Sequence, residues 1–248
     1  MKLSIIGFFI AAVTLLVVTL QFIFGNSLMI GNIGIVVFGF FIISVLLIFV
    51  AYKVYKATNF RKTRESMTWL FIFIGSIACF LLSLSSMTRP IIGSNLPEFS
   101  FISQTLSVVC YICFIVGFIF SMSYFKGNKK VNPWIPLTVI SILSALVLFF
   151  LFKGISAQTA FGIGMTISFA IYILFDGIML YLSWMNAALT WGGKLAVPYL
   201  IIAVGFVLLV VAHIQLVFAS IGGSANVPIN IITTPVFIIA VGVLALLM

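Results

Sequence analysis

The chain has 248 residues, of which 64% are hydrophobic and only 6% are charged. A soluble domain carries about a quarter charged residues and about half apolar ones, so twelve bases and three acids cannot cover a soluble surface of this size. With a mean hydropathy of +1.41, the composition excludes a soluble protein and predicts an integral membrane protein.

Eight apolar runs follow one another along the chain, and each is long enough to cross a hydrocarbon core of about 30 Å as a helix. We therefore predict an all-α, polytopic transmembrane bundle of about eight spanning helices, forming a single membrane domain over residues 1–248 with no soluble domain. The predicted helices are 3–24, 32–53, 67–88, 101–124, 134–153, 159–185, 195–220 and 228–248. The first has the charge pattern of a signal peptide, but its apolar run is too long, so we expect it to be retained.

The basic residues predict the orientation. With eight helices, ten of the twelve bases and all four tryptophans fall on one side. That side is cytoplasmic by the positive-inside rule, so we expect a protein of the cell membrane with both termini in the cytoplasm. Five of the bases form a cytoplasmic loop, in which they act as a topology signal or, alternatively, contact anionic lipid head groups. They are Lys53, Lys56, Arg61, Lys62 and Arg64.

The scarcity of titratable side chains excludes several chemistries. His213 is the single histidine, and the only carboxyl side chains are Glu65, Glu98 and Asp176, which the predicted topology keeps apart. We therefore expect no enzyme activity, no catalytic residues, no metal and no cofactor. The net charge of +9 lies in short loops between apolar runs, so it does not indicate nucleic-acid binding.

Asp176 is the most informative residue, because it lies inside the sixth predicted helix. A carboxylate at membrane depth is costly unless it is paired, hydrated or protonated, so it should face the bundle or a cavity. It is either a proton or cation site, or an acid that fixes helix packing. Gly177 beside it would let a partner helix approach closely.

His213 lies in the seventh predicted helix, and the predicted boundaries separate it from Asp176. Counted at 1.5 Å per residue, Asp176 lies about 6 Å on the cytoplasmic side of its helix centre and His213 about 8 Å on the outer side. The difference of about 14 Å predicts that the two side chains do not form a hydrogen bond. His213 is then a packing residue or, alternatively, a ligand or pH switch.

Several polar side chains share the outer half of the bundle with His213. Together they form either a small crevice open to the outside or scattered hydrogen bonds between helices, each worth about 1 kcal/mol or less. The glutamines of this set are Gln21, Gln104 and Gln215. Serines of the third and fourth helices lie at the same depth, and they are Ser83, Ser85, Ser86, Ser103 and Ser107.

Cys110 and Cys113 form a C-x-x-C pattern near the middle of the fourth predicted helix. Apolar surroundings make a thiol inert, and a redox or zinc site would need further cysteines with suitable spacing. We expect these cysteines to be structural. The pairs Ser141/Ala145 and Gly164/Ser168 are spaced four residues apart and predict close helix packing within the chain.

These features favour a non-enzymatic membrane module, receptor-like or sensor-like, with a polar crevice in its outer half. One alternative is an accessory or structural subunit of a larger membrane complex, which would explain the short loops. A further alternative is a small proton- or cation-coupled transporter that uses Asp176. The expected partner is the lipid bilayer, with other membrane proteins or a second copy of the chain as candidates. The sequence does not identify a ligand.

Overall fold

A computed structural model describes residues 29–30, 33–59, 63–92, 97–125, 131–157 and 163–221, with residues 236, 238–239, 242–243 and 245–246. This part of the chain is helical, apart from the antiparallel pairing of β1 (Met29–Ile30) with β2 (Ile33–Gly34). The continuous helices are α1 (Ile35–Ala57), α2 (Arg64–Ile92), α3 (Pro97–Phe125), α4 (Trp134–Ala157), α5 (Ile163–Leu189) and α6 (Ala196–Ile221).

Four of these helices are long and apolar enough to cross a membrane. The spans that meet this criterion are Arg64–Ser85, Phe101–Phe125, Ala170–Leu189 and Ala196–Gln215. The prediction of an all-helical membrane protein is therefore confirmed, whereas the number of eight spans is not. The predicted helix 3–24 lies outside the described residues, and the predicted helix 228–248 is described at seven residues, all helical.

The boundaries of α5 differ from the predicted ones by four residues at each end. The sequence predicts a helix over 159–185, whereas α5 covers Ile163–Leu189. The polar residue Asn186 looks like the end of an apolar run, but its side-chain amide donates a hydrogen bond to the Leu182 carbonyl at 2.9 Å. Because this side-chain N–H bonds within α5, a polar residue is accommodated inside the helix, which continues through Asn186 to Leu189.

The chain forms two compact units. In the first unit, α2 packs against both α1 and α3. The helices α2 and α3 approach closely at Gly117, where an added Cβ would lie 3.3 Å from the backbone oxygen of Thr68. Aromatic rings fill the contact between α1 and α2, with Phe41 and Phe80 centroids 5.3 Å apart.

The connection from α1 to α2 is short and hydrogen-bonded. Asn59, with φ +53°, adopts the left-handed conformation that often ends a helix. At the start of α2, the Thr63 hydroxyl oxygen accepts a hydrogen bond from the Ser66 amide at 3.2 Å, which is the usual geometry of an N-cap.

In the second unit, α5 packs against both α4 and α6. The helices α5 and α6 form an antiparallel hairpin across residues 190–195, and Gly192 has a φ of +86° in this turn. An L side chain adopts that conformation only with strain, so glycine suits the position. On the other flank of α5, an added Cβ at Gly177 would lie 2.7 Å from the Ser144 hydroxyl of α4, which confirms the predicted close approach at Gly177.

Candidate buried acid–imidazole site

Asp176 lies at the midpoint of α5, with thirteen helical residues on either side. Its side chain is completely buried, and one carboxylate oxygen, Oδ2, lies 2.6 Å from Nδ1 of His213 on α6. His213 is also buried, with 8% of its surface exposed. The hairpin thus carries a hydrogen-bonded acid–imidazole pair about 20 Å from either end of α5, at 1.5 Å per residue.

The prediction that Asp176 and His213 would not meet is wrong. The prediction measured the depth of each residue from the midpoint of its own predicted helix and assumed that the two midpoints lie at the same level. The predicted midpoint of the Asp176 helix was four residues too early. The two helices of a hairpin share the level of their connecting turn. Asp176 lies thirteen residues before the end of α5, and His213 lies seventeen residues after the start of α6. The remaining four residues amount to about 6 Å, which the side chains span.

Two neighbours hold the pair in place. The Tyr172 ring stacks on the imidazole of His213, with centroids 5.9 Å apart and an interplanar angle of 11°. Tyr172 precedes Asp176 by four residues, so both side chains lie on the same face of α5. On the side of α5 that faces α4, Ser144 packs against Gly177, one residue from Asp176. The ring and the helix contact restrict how far either member of the pair can move.

A carboxyl group hydrogen-bonded to an imidazole can share one proton or hold two. An ionised carboxylate can accept a hydrogen bond from the Nδ1–H of a neutral imidazole, leaving one buried negative charge. Uptake of a second proton makes the pair neutral overall. A buried charge that is not balanced is unfavourable in an apolar interior, so the gain or loss of this proton changes the electrostatic energy of the α5–α6 contact.

The other intramembrane residues singled out in the sequence do not join this pair in the described contacts. Gln104 on α3 and Gln215 on α6 both have exposed side chains, and Gln21 lies outside the described residues. Two of the serines that lie at the same predicted depth pair between helices, since the hydroxyl oxygens of Ser85 on α2 and Ser103 on α3 are 3.0 Å apart.

Three of the five bases of the predicted basic loop lie on helices. Lys53 and Lys56 are exposed on the last turns of α1, while Arg61 and Lys62 lie outside the described residues. Lys53 Nζ lies 4.4 Å from the centre of the Phe49 ring. Arg64 begins α2 and donates a hydrogen bond to the Ser123 carbonyl on α3 at 3.1 Å. At least one of the five bases therefore also ties two helices together.

The cysteines are free thiols at the contact between α2 and α3. Cys113 is buried, and Cys79 and Cys110 are partly buried. The side chains of Cys79 and Cys110 lie close to each other between the two helices, a proximity that the C-x-x-C spacing did not reveal. Within the described residues, no three histidine, cysteine or acidic side chains are arranged to hold a metal ion.

Sequence reasoning missed a set of buried and partly buried polar residues that share one face of α5 with Asp176. At 100° per residue, Tyr172, Asp176, Ser183, Asn186 and Thr190 fall within an arc of about 80°. We call this set the α5 polar stripe. Asp176, Ser183 and Asn186 have no exposed surface. Helical periodicity could have found the stripe, because its successive members are three, four or seven residues apart.

Comparison with protein-family models gives no match to this chain. No curated protein and no solved structure matches it either.

Proposed function

We propose that the protein is a non-enzymatic, receptor-like or sensor-like membrane module, and that the Asp176–His213 pair is its responsive element. The observation that carries this proposal is the 2.6 Å contact between two completely or almost completely buried ionisable side chains on adjacent helices. Ionisable residues inside membrane helices are usually functional. Because the pair joins α5 to α6, a change in its charge alters the contact between these helices.

The first test separates a responsive acid from a packing acid. Asp176→Asn keeps the shape and the hydrogen-bonding capacity of the side chain but cannot titrate. We expect the full-length variant in lipid nanodiscs to keep the thermal stability of the wild type and to lose its conformational response to pH, followed by tryptophan fluorescence. Trp184 lies on α5 and Trp191 in the turn after it, so both report on this hairpin.

The matched control is Glu65→Gln, which removes an exposed carboxyl group at the start of α2 and should leave the response unchanged. If Asp176→Asn responds to pH like the wild type, the acid is a packing residue. That outcome contradicts the proposal and favours an accessory subunit of a larger membrane complex.

A small proton- or cation-coupled transporter is the second candidate, and the same buried pair favours it. Proteoliposomes distinguish the two functions, because a transporter moves protons or cations across the membrane in an Asp176-dependent way. A sensor changes conformation with no Asp176-dependent flux. Flux that Asp176→Asn abolishes would replace the sensor proposal with the transport function.

The proposed orientation in the cell membrane, with both termini in the cytoplasm, has its own test. In a background without Cys79, Cys110 and Cys113, a cysteine introduced by Ser94→Cys should react with a membrane-impermeant reagent added outside. One introduced by Asn128→Cys should not. The reverse labelling pattern would invert the orientation.

A further inference from the structure

We propose that the ligand of the Asp176–His213 pair is the proton, and that it reaches the pair along the α5 polar stripe from the turn at residues 190–195. This inference rests on the proposed function, since it names the ligand of that site and its route. The basic residues assign this turn, which contains Lys194, to the cytoplasmic side.

The stripe leads from the pair to the turn. Ser183 lies seven residues beyond Asp176, Asn186 lies ten beyond and Thr190 fourteen beyond. These separations correspond to rises of about 10, 15 and 21 Å along the helix. On α6, Tyr199 lies three residues after the start of the helix, at the level of Asn186 counted from the turn, and only 1% of its surface is exposed. Polar groups therefore line the part of the α5–α6 contact that lies nearest the turn. Apolar side chains alone would have been sufficient for packing there.

The hydroxyl oxygens of Ser183 and Thr190 can still accept hydrogen bonds. Ser183 donates its hydrogen to the Met179 carbonyl at 2.7 Å, and Thr190 donates to the Asn186 carbonyl at 2.7 Å. A hydroxyl oxygen that donates one hydrogen bond still has lone pairs to accept others. Each can therefore receive a hydrogen bond from water entering at the turn.

The longest gap lies between Asp176 and Ser183. Three water molecules at about 2.8 Å spacing bridge a distance of about 10 Å. Met179 occupies this interval on the same face of α5, and 2% of its surface is exposed. Its unbranched, flexible side chain changes conformation more readily than a branched one, so Met179 is the residue that must move aside when water enters.

The titratable groups around the pair are few. In the described residues, α5 carries Tyr172, Asp176 and Tyr181, and α6 carries Tyr199 and His213. Lys194 lies in the turn, and the described part of α4, which packs against α5, has no titratable side chain over residues 134–149. A proton that enters from the turn therefore passes Tyr199 near the entrance, and the Asp176–His213 pair is the next titratable group along this route.

The chain provides a direct readout of protonation, because His213 is its single histidine. The full-length protein, freed of any histidine tag and labelled with ¹⁵N-histidine, contains one imidazole for nuclear magnetic resonance. In lipid nanodiscs we expect the two imidazole ¹⁵N signals to change their chemical shifts with pH. The pH at the midpoint of this change should differ in Asp176→Asn. An imidazole that does not titrate would overturn both the proposed function and this inference.

The route is tested by kinetics in oriented proteoliposomes. After a pH jump on the side of the turn, the fluorescence of Trp184 and Trp191 should relax faster than after the same jump on the opposite side. Ser183→Ala and, separately, Thr190→Val should slow this relaxation by about tenfold, as a barrier raised by about 1.4 kcal/mol would. The equilibrium titration of His213 should be unchanged.

Ser141→Ala is the matched control, because it removes a hydroxyl group from an exposed position on α4, away from the stripe. It should relax at the wild-type rate. If both stripe variants relax at the wild-type rate while His213 still titrates, the proposed route is wrong and the proposed function stands. Faster relaxation from the opposite side would also contradict the route.

Discussion

The first unit, built from α1 to α3, and the second unit, built from α4 to α6, join similar apolar helices in different ways. Among the described residues of the first unit, the buried polar side chains are all hydroxyls, and Ser76 and Ser83 donate to carbonyls of their own helix. The second unit buries an acid and an imidazole that bond to each other across 37 positions of the chain. A hydroxyl group that bonds to a carbonyl of its own helix makes no link to another helix, whereas the acid–imidazole pair connects two helices.

This difference leads us to expect that the acid–imidazole pair contributes more to the stability of the second unit than any single polar contact contributes to the first. A membrane interior offers little hydrophobic driving force between helices, so close packing and interhelical hydrogen bonds provide the association. In the first unit those contacts are spread over the approaches at Gly75 and Gly117, the aromatic contacts and the Ser85–Ser103 bond. The following substitutions test the contrast, in order of expected effect.

The largest effect is expected from Asp176→Leu, which leaves the buried imidazole of His213 without its carboxylate partner. We expect the free energy of unfolding to fall by about 1–3 kcal/mol, measured by thermal unfolding in mild detergent. Adding His213→Leu should recover part of this loss, because the double variant leaves neither group unsatisfied. A Leu variant as stable as the wild type would show that the pair does not hold the second unit together.

Gly177→Ala tests the contact of α4 beside the pair. The new methyl group would meet the Ser144 hydroxyl at 2.7 Å, and overpacking typically costs about 1–3 kcal/mol. Because a serine side chain can rotate, we expect a loss near the lower end of that range, seen as a lower melting temperature. Combining it with Ser144→Ala should restore stability, and a double variant no better than Gly177→Ala would contradict this account.

Thr63→Ala removes the N-cap of α2 in the first unit, where the Ser66 amide loses its hydroxyl partner. We expect a loss of about 1 kcal/mol in the same unfolding measurement. Thr105→Ala is the control, since Thr105 is exposed on α3 and bonds only to a carbonyl of its own helix among the contacts described for it. Equal losses in both variants would mean that the cap contributes nothing specific.

Ser85→Ala should have the smallest effect, because it removes one of many contacts in the first unit. Interhelical hydrogen bonds in membrane proteins contribute about 0.6 kcal/mol on average, so we expect a coupling of that size between Ser85 and Ser103. A double-mutant cycle with Ser103→Ala measures it. A coupling larger than that of Asp176 with His213 would reverse the comparison between the units.

Much of the helical architecture follows from the sequence. The lengths of the apolar runs located α1 to α6, and Gly177 was predicted to accept a neighbouring helix. The site could not be predicted in the same way, because the relative level of two helices depends on where each one ends. Both predicted boundaries of the Asp176 helix lay four residues too early, and this shift displaced Asp176 by about one helical turn.

The sequence alone determined that the chain is a helical membrane protein with very few ionisable side chains in its apolar runs. Composition and run length determine that result, because a backbone in lipid must satisfy its own hydrogen bonds and forms helices. Only the tertiary structure decided that Asp176 and His213 meet, since the pairing depends on the glycine turn at Gly192 and on the facing sides of α5 and α6. Periodicity identifies the face on which a polar residue lies, but the partner that faces it is set by how the two helices pack.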